Sequence, residues 1–136
     1  MKNKQVILLI LILTLSNISI YSESDKEIAQ LYMDEAFYHY SQENFTKAEE
    51  LLQKSLGFSD QIPEVWYLSG LISEGQGNRL KSIDLYKKSI YLSDVYKEYF
   101  YDLYYRYINL LNITDNHKDV IDFYRENRKV LENDDD

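Results

Sequence analysis

An all-α fold of stacked antiparallel helical hairpins is what the sequence predicts, and three observations predict it. A segment recurs at a fixed interval: Tyr32, Ala36, Asn44, Phe45, Lys47, Ala48, Leu52 and Ser55 become Trp66, Gly70, Asn78, Arg79, Lys81, Ser82, Tyr86 and Ser89, and 66−32, 70−36, 82−48 and 89−55 all equal 34. A period of this size marks helical-hairpin arrays, in which each hairpin buries its apolar face against the next. Apolar residues also recur at helical spacing along most of the chain. Finally, 4 Gly and 1 Pro in 136 residues suit helices and leave little turn chemistry for a β-sandwich.

The elements follow in order. Ser24-Asp25-Lys26-Glu27 has the pattern of a capping box, in which Ser24 covers free amides and Glu27 reaches back. A helix then runs to about Gln42, with Ile28, Leu31, Tyr32 and Ala36 on one face. Glu43-Asn44 breaks it. A second helix covers Phe45 to Leu56, turning Ala48, Leu51, Leu52 and Ser55 inward, and Gly57 is placed to end it in the left-handed conformation. Pro63 opens the third helix, where its missing amide costs nothing, and Gly75-Gln76-Gly77-Asn78 closes it. The fourth runs from Arg79 to Leu92 on Ile83, Leu85, Tyr86 and Ile90. A fifth, from Asp94 to Leu111, holds Tyr96, Tyr99, Phe100, Leu103, Tyr104 and Tyr107; Tyr99, Phe100, Leu103 and Tyr107 suit the core, with Tyr101, Tyr104 and Tyr105 on other faces. Asn112 to Asn116 is a loop, and His117 to Leu131 forms a sixth helix on Val120, Ile121, Phe123, Tyr124 and Val130. The hairpins are thus expected at 25–57, 63–92 and 94–131 within one repeat domain, 23–132, followed by an acidic tail at 133–136. The third is out of phase: Val120-Ile121-Asp122-Phe123-Tyr124 matches Ser82-Ile83-Asp84-Leu85-Tyr86 at 120−82 = 38, about one helical turn longer.

Composition narrows the function. There are no cysteines, which excludes disulfides and thiolate metal sites. His39 and His117 are the only histidines and lie far apart in sequence, a poor inventory for metal binding or acid–base work. The net charge of −8 repels phosphate backbones, so a nucleic-acid partner is not expected. Gly75-Gln76-Gly77 lacks the third glycine and preceding strand of a dinucleotide loop and reads as a turn. No catalytic, cofactor or metal residues are assigned, and an enzyme is the least supported reading. Tyrosine is the compositional anomaly, at 14 residues.

Residues 1–22 read as a secretory signal. Lys2 and Lys4 supply the positive start, Val6 to Leu15 the apolar core, and the polar stretch to Ser22 a cleavage region. That core is short of the ~20 residues of a membrane span. The rival reading keeps residues 6–21 as an uncleaved anchor, with membrane association through them.

With the small and aromatic positions assembled, the chain resembles the tetratricopeptide repeat family. That pattern sets a small residue four after an aromatic, a Gly-Asp/Asn-aromatic turn, then small, aromatic and small residues. The second hairpin matches at Trp66, Gly70, Gly77-Asn78, Ser82, Tyr86 and Ser89, and the first at Tyr32, Ala36, Asn44-Phe45, Ala48, Leu52 and Ser55. Ala36 opposite Ala48, and Gly70 opposite Ser82, would let paired helices approach closely. The third hairpin has Ile108 and Val120 there, and Asp60 and Asp94 stand where the family's closing proline falls. The resemblance covers about residues 25 to 131 and implies a right-handed solenoid of three hairpins that binds other proteins.

By that resemblance the first helix of each hairpin lines a concave face. The peptide-binding residues it implies are Met33, Phe37 and Tyr40 on the first helix, Tyr67 and Leu71 on the third, and Tyr105 on the fifth. Arg106 is the one basic residue among the family's clamp positions, so carboxylate gripping is not expected. An apolar surface with tyrosine hydroxyls suits an amphipathic helix or an extended apolar peptide. The expectation is therefore an exported adaptor or assembly factor, periplasmic or secreted, that binds a protein. The alternatives are a membrane-anchored subunit of an envelope complex and a protein that binds a small apolar ligand. The fifth helix is apolar nearly all round and no capping helix follows, which makes self-association into homo-oligomers or partner docking through the third hairpin a further expectation.

Overall fold

A computed structural model describes residues 23–93 and 100–131. The expected signal or anchor, the start of the fifth helix and the acidic tail lie outside the described residues. The chain is all-α, with helices packed in successive pairs and no strand among the described residues. It divides into two compact units, Met1–Gln61 and Ile62–Asp136.

The first unit is a helical hairpin. Residues 23–41 form α1 and Phe45–Phe58 form α2. Ser24 is already inside α1, so it does not cap the helix as its capping-box pattern suggested. Ala29, Met33 and Ala36, at i, i+4 and i+7, share the buried face of α1, and Ala48, Leu51 and Leu52 are the buried apolar residues of α2. Leu31, expected on that face, is 69% exposed. Gly57 does not end α2. The helix runs on to Phe58, whose ring stacks on Tyr32 at 5.8 Å, and Ser59 leaves in extended conformation.

The second unit holds α3 (Pro63–Gly75), α4 (Arg79–Leu92), α5 (Phe100–Ile113) and α6 (His117–Leu131). Each packs on the next, α3 and α4 most extensively. Val65, Leu68 and Ile72 are the buried apolar residues of α3. A second cluster joins Ile83 and Tyr86 of α4 to Leu103, Tyr104, Tyr107, Leu110 and Leu111 of α5 and Phe123 of α6. Tyr104, expected on an outer face, is buried here, its ring 4.9 Å from Phe123. Ile121 and Tyr124, expected in the core, are 57% and 49% exposed.

One turn is built three times. At each, a left-handed residue is followed by an asparagine: Glu43-Asn44, Gly77-Asn78 and Asp115-Asn116, with φ of 58°, 80° and 57° at the first member. Glu43 N–H donates to the Tyr40 carbonyl and Asn44 N–H to that of His39. Gly77 and Asn78 bond Glu74 and Ser73, and Asp115 and Asn116 bond Asn112 and Leu111, in the same way. This is the double closure of a Schellman motif. Each asparagine carbonyl then accepts the first bond of the next helix, from Ala48, Ser82 or Val120. The turns are spaced 77−43 = 34 and 115−77 = 38, the two offsets read from the sequence. The left-handed conformation costs a non-glycine residue on the order of 1 kcal/mol, so Glu43→Gly should stabilise the first hairpin by about 0.5–1 kcal/mol in urea denaturation.

Two further contacts repeat at 34. Ser55 Oγ donates to the Ala29 carbonyl at 2.7 Å, and Ser89 Oγ to that of Pro63 at 2.8 Å. Lys54 Nζ sits over the Tyr32 ring and Lys88 Nζ over that of Trp66, at 5.9 and 4.7 Å from the centroids. In the second hairpin the small residue is matched to the side chain that covers it. A Cβ on Gly70 would overlap the fully buried Tyr86 ring, so Tyr86, rather than Ser82, fills the space beside that glycine. In the first hairpin the corresponding pair is Ala36 and the smaller Leu52.

Candidate interaction surface

In the second unit, the α3 positions expected to line a binding surface are taken up by α5. Tyr67 and Leu71 are half-buried against the aromatic cluster that α5 brings to α4. Around them runs a polar chain. Tyr67 Oη donates to the Asp102 carboxylate. Arg106, one turn after Asp102, donates through Nε to Asp102 at 2.7 Å and through Nη1 to Glu74 at 3.2 Å. Tyr86 Oη donates to the same Glu74 oxygen at 2.6 Å. Three helices are thereby tied by five side chains carrying two negative charges and one positive charge.

The environment tunes these groups in consistent directions. Partial burial opposes ionisation of Asp102, but the hydrogen bonds from Tyr67 and Arg106 outweigh it and hold the carboxyl below its usual range. Burial pushes the Tyr67 and Tyr86 phenols up, and donation to Asp102 and Glu74 adds to it. Burial alone raises Tyr104 to about 12. These phenols are neutral when folded and ionise more readily in the unfolded chain, near pH ~10. Their contribution is fully present below that pH and is lost as pH rises through the folded values. The urea midpoint should therefore fall between pH 9 and pH 11.5. Tyr104→Phe should reduce that fall, and an unchanged midpoint in the wild type would contradict it.

The six expected surface residues divide. Met33 is buried at 8% exposure, on the face of α1 that it shares with Ala29 and Ala36. Phe37 is 58% exposed, and Tyr40 is half-buried with its ring 5.7 Å from Phe45. Tyr67 and Leu71 are engaged as described. Tyr105, on the face of α5 away from the aromatic cluster, is 71% exposed. The packing residues Ala36, Ala48, Gly70, Ser82 and Tyr86 are buried, and Trp66 is half-buried under Lys88.

The Glu74–Arg106–Asp102 bridge is the arrangement that sequence reasoning missed. Its signal was present: an Asp/Arg pair at i, i+4 on the fifth helix, and a glutamate on the first helix of the preceding hairpin. No group of three acidic or histidine side chains among the described residues could hold a metal ion. Comparison with family models, curated proteins and solved structures finds no match to the chain. The class defined by fold and surface is an all-α protein of helical hairpins with aromatic residues left exposed in each unit.

Proposed function

We propose that this is an exported protein-interaction module of the tetratricopeptide type, an adaptor or assembly factor that binds an apolar peptide or amphipathic helix through exposed aromatic side chains. The observation that carries the reading is the exposure of Phe37 and Tyr105 on the first helices of the first and third hairpins. Aromatic side chains of this kind supply large contact area at little entropic cost, which suits protein recognition. The repeated turn, serine bridge and cation–ring contact support the family resemblance. Lys2, Lys4 and the apolar run from Val6 support export.

The test has two arms. N-terminal sequencing of the protein from cells should begin near Glu23, and a retained Met1 would favour the anchored alternative. Affinity capture from an envelope extract should yield one dominant protein, lost with Phe37→Ala/Tyr105→Ala while the circular dichroism spectrum is unchanged. A partner that binds the folded double variant equally would refute these residues as the site.

A further inference from the structure

The repeat register shows, on the first and third hairpins, faces equivalent to those buried where α5 meets α3 and α4, and among the described residues both are exposed. Within the second unit, α5 docks on Tyr67 of α3 and on Ile83 and Tyr86 of α4. Adding the third-hairpin offset gives Tyr105, Ile121 and Tyr124, since 105−67, 121−83 and 124−86 all equal 38. The residue types are unchanged, yet these three are 71%, 57% and 49% exposed. The third hairpin therefore carries a face equivalent to the one on which α5 docks, and no described helix covers it.

The first hairpin carries the other half. The residues of α5 buried in that docking include Leu103 and Leu110, at 0% and 2% exposure. Their counterparts on α1 are Leu31 and Tyr38, because 103−31 and 110−38 both equal 34+38 = 72. The same positions on α3 are Val65 and Ile72, both buried, whereas Leu31 and Tyr38 are 69% and 61% exposed.

We infer that the occupant of the third-hairpin face is α1 of a second copy of this chain, docked as α5 docks on α3 and α4, so that copies join head to tail. Charge fits the same copy. The α3–α5 bridge combines Glu74, Asp102 and Arg106, one net negative charge. The counterparts are Asn112 on one copy and Gln30 and Asp34 on the next, again one net negative charge, with the Asn112 amide able to donate to Asp34 and the Tyr105 hydroxyl to the Gln30 carbonyl. Glu35 takes the place of Tyr107, which lies near Asp84 of α4, so Glu35 falls near Asp122, the counterpart of Asp84, whose charge is paired with Arg125 at 3.1 Å. Such an interface joins two different faces, so it propagates into chains and does not close into a symmetric dimer.

The inference goes beyond the partner-binding reading and shares Tyr105 with it, so the test uses Leu31 and Ile121, which that reading does not need. Sedimentation velocity of the full-length protein should show concentration-dependent species larger than a dimer. Leu31→Arg and Ile121→Arg each place a charge in the apolar contact and should weaken association roughly 30-fold, leaving a monomer. Both positions are exposed, so circular dichroism should be unaltered. Mixing the two variants leaves one intact pair of faces and should restore a dimer and nothing longer. A wild type that stays monomeric at high concentration overturns the inference and indicates that another segment or a different protein covers these faces. Association that survives Leu31→Arg overturns it too, by indicating a symmetric contact through the third hairpin alone.

Discussion

Gly70→Ala should destabilise the protein by about 2 kcal/mol, although alanine is the better helix former. Replacing a helical glycine gains roughly 0.5–1 kcal/mol. Against that, the new methyl meets the Tyr86 ring well inside contact distance. Overpacking of a closed core costs about 1–3 kcal/mol or more when neighbours cannot yield. Tyr86 has little room to yield: it is fully buried, its ring lies 6.1 Å from that of Tyr67, and its hydroxyl is fixed to Glu74. The first hairpin has Ala36 and the smaller Leu52 at the corresponding positions, both buried. Gly70→Ala/Tyr86→Leu should therefore be more stable than the sum of its single changes predicts, by at least about 1 kcal/mol in a double-mutant cycle followed in urea. Simple additivity would mean that the two positions do not share one space.

Arg106→Met should cost about 1–2 kcal/mol, and the loss should depend on pH. The arginine is the cation between Asp102 and Glu74, and the substitution leaves two carboxylates facing each other with their tyrosine donors only. All three groups keep some contact with water, so the cost stays far below that of a fully buried pair. In the wild type, the depressed Asp102 pKa contributes stability above the unfolded value near ~3.9, lost as pH falls through the folded value. Removing Arg106 takes away part of that depression. The stability difference between wild type and variant should thus be full at pH 7 and shrink toward pH 3. A difference independent of pH would assign the effect to lost packing of the arginine stem.

The period, the helix pairs and the phase shift of the third hairpin were legible in the sequence because turn chemistry and small residues mark them locally. Asn44, Asn78 and Asn116 open second helices wherever they occur, and Ser55 and Ser89 are buried because each has a carbonyl within reach. The left-handed Glu43 and Asp115 were not legible, since only Gly77 announces that conformation by its identity. Faces were harder to read than helices. Leu31, Ile121 and Tyr124 lie at core spacing yet point outward, because helical periodicity identifies a face that packs on a next hairpin without revealing whether one is there. Met33 shows the converse: the family resemblance puts it at a binding position, whereas its spacing from Ala29 and Ala36 puts it on the buried face. Of the expected surface residues, Phe37 and Tyr105 remain exposed, while Tyr67 and Leu71 are drawn into packing by α5, whose Asp102 and Arg106 carry the polar bridge.

The most direct test of the binding account is site-specific photo-crosslinking in living cells from position 37, with exposed Gln53 on α2 as the control. The account predicts one discrete adduct with a different protein from position 37 and none from position 53. Adducts of equal pattern from both positions, or no adduct from position 37 in a correctly exported protein, would contradict it.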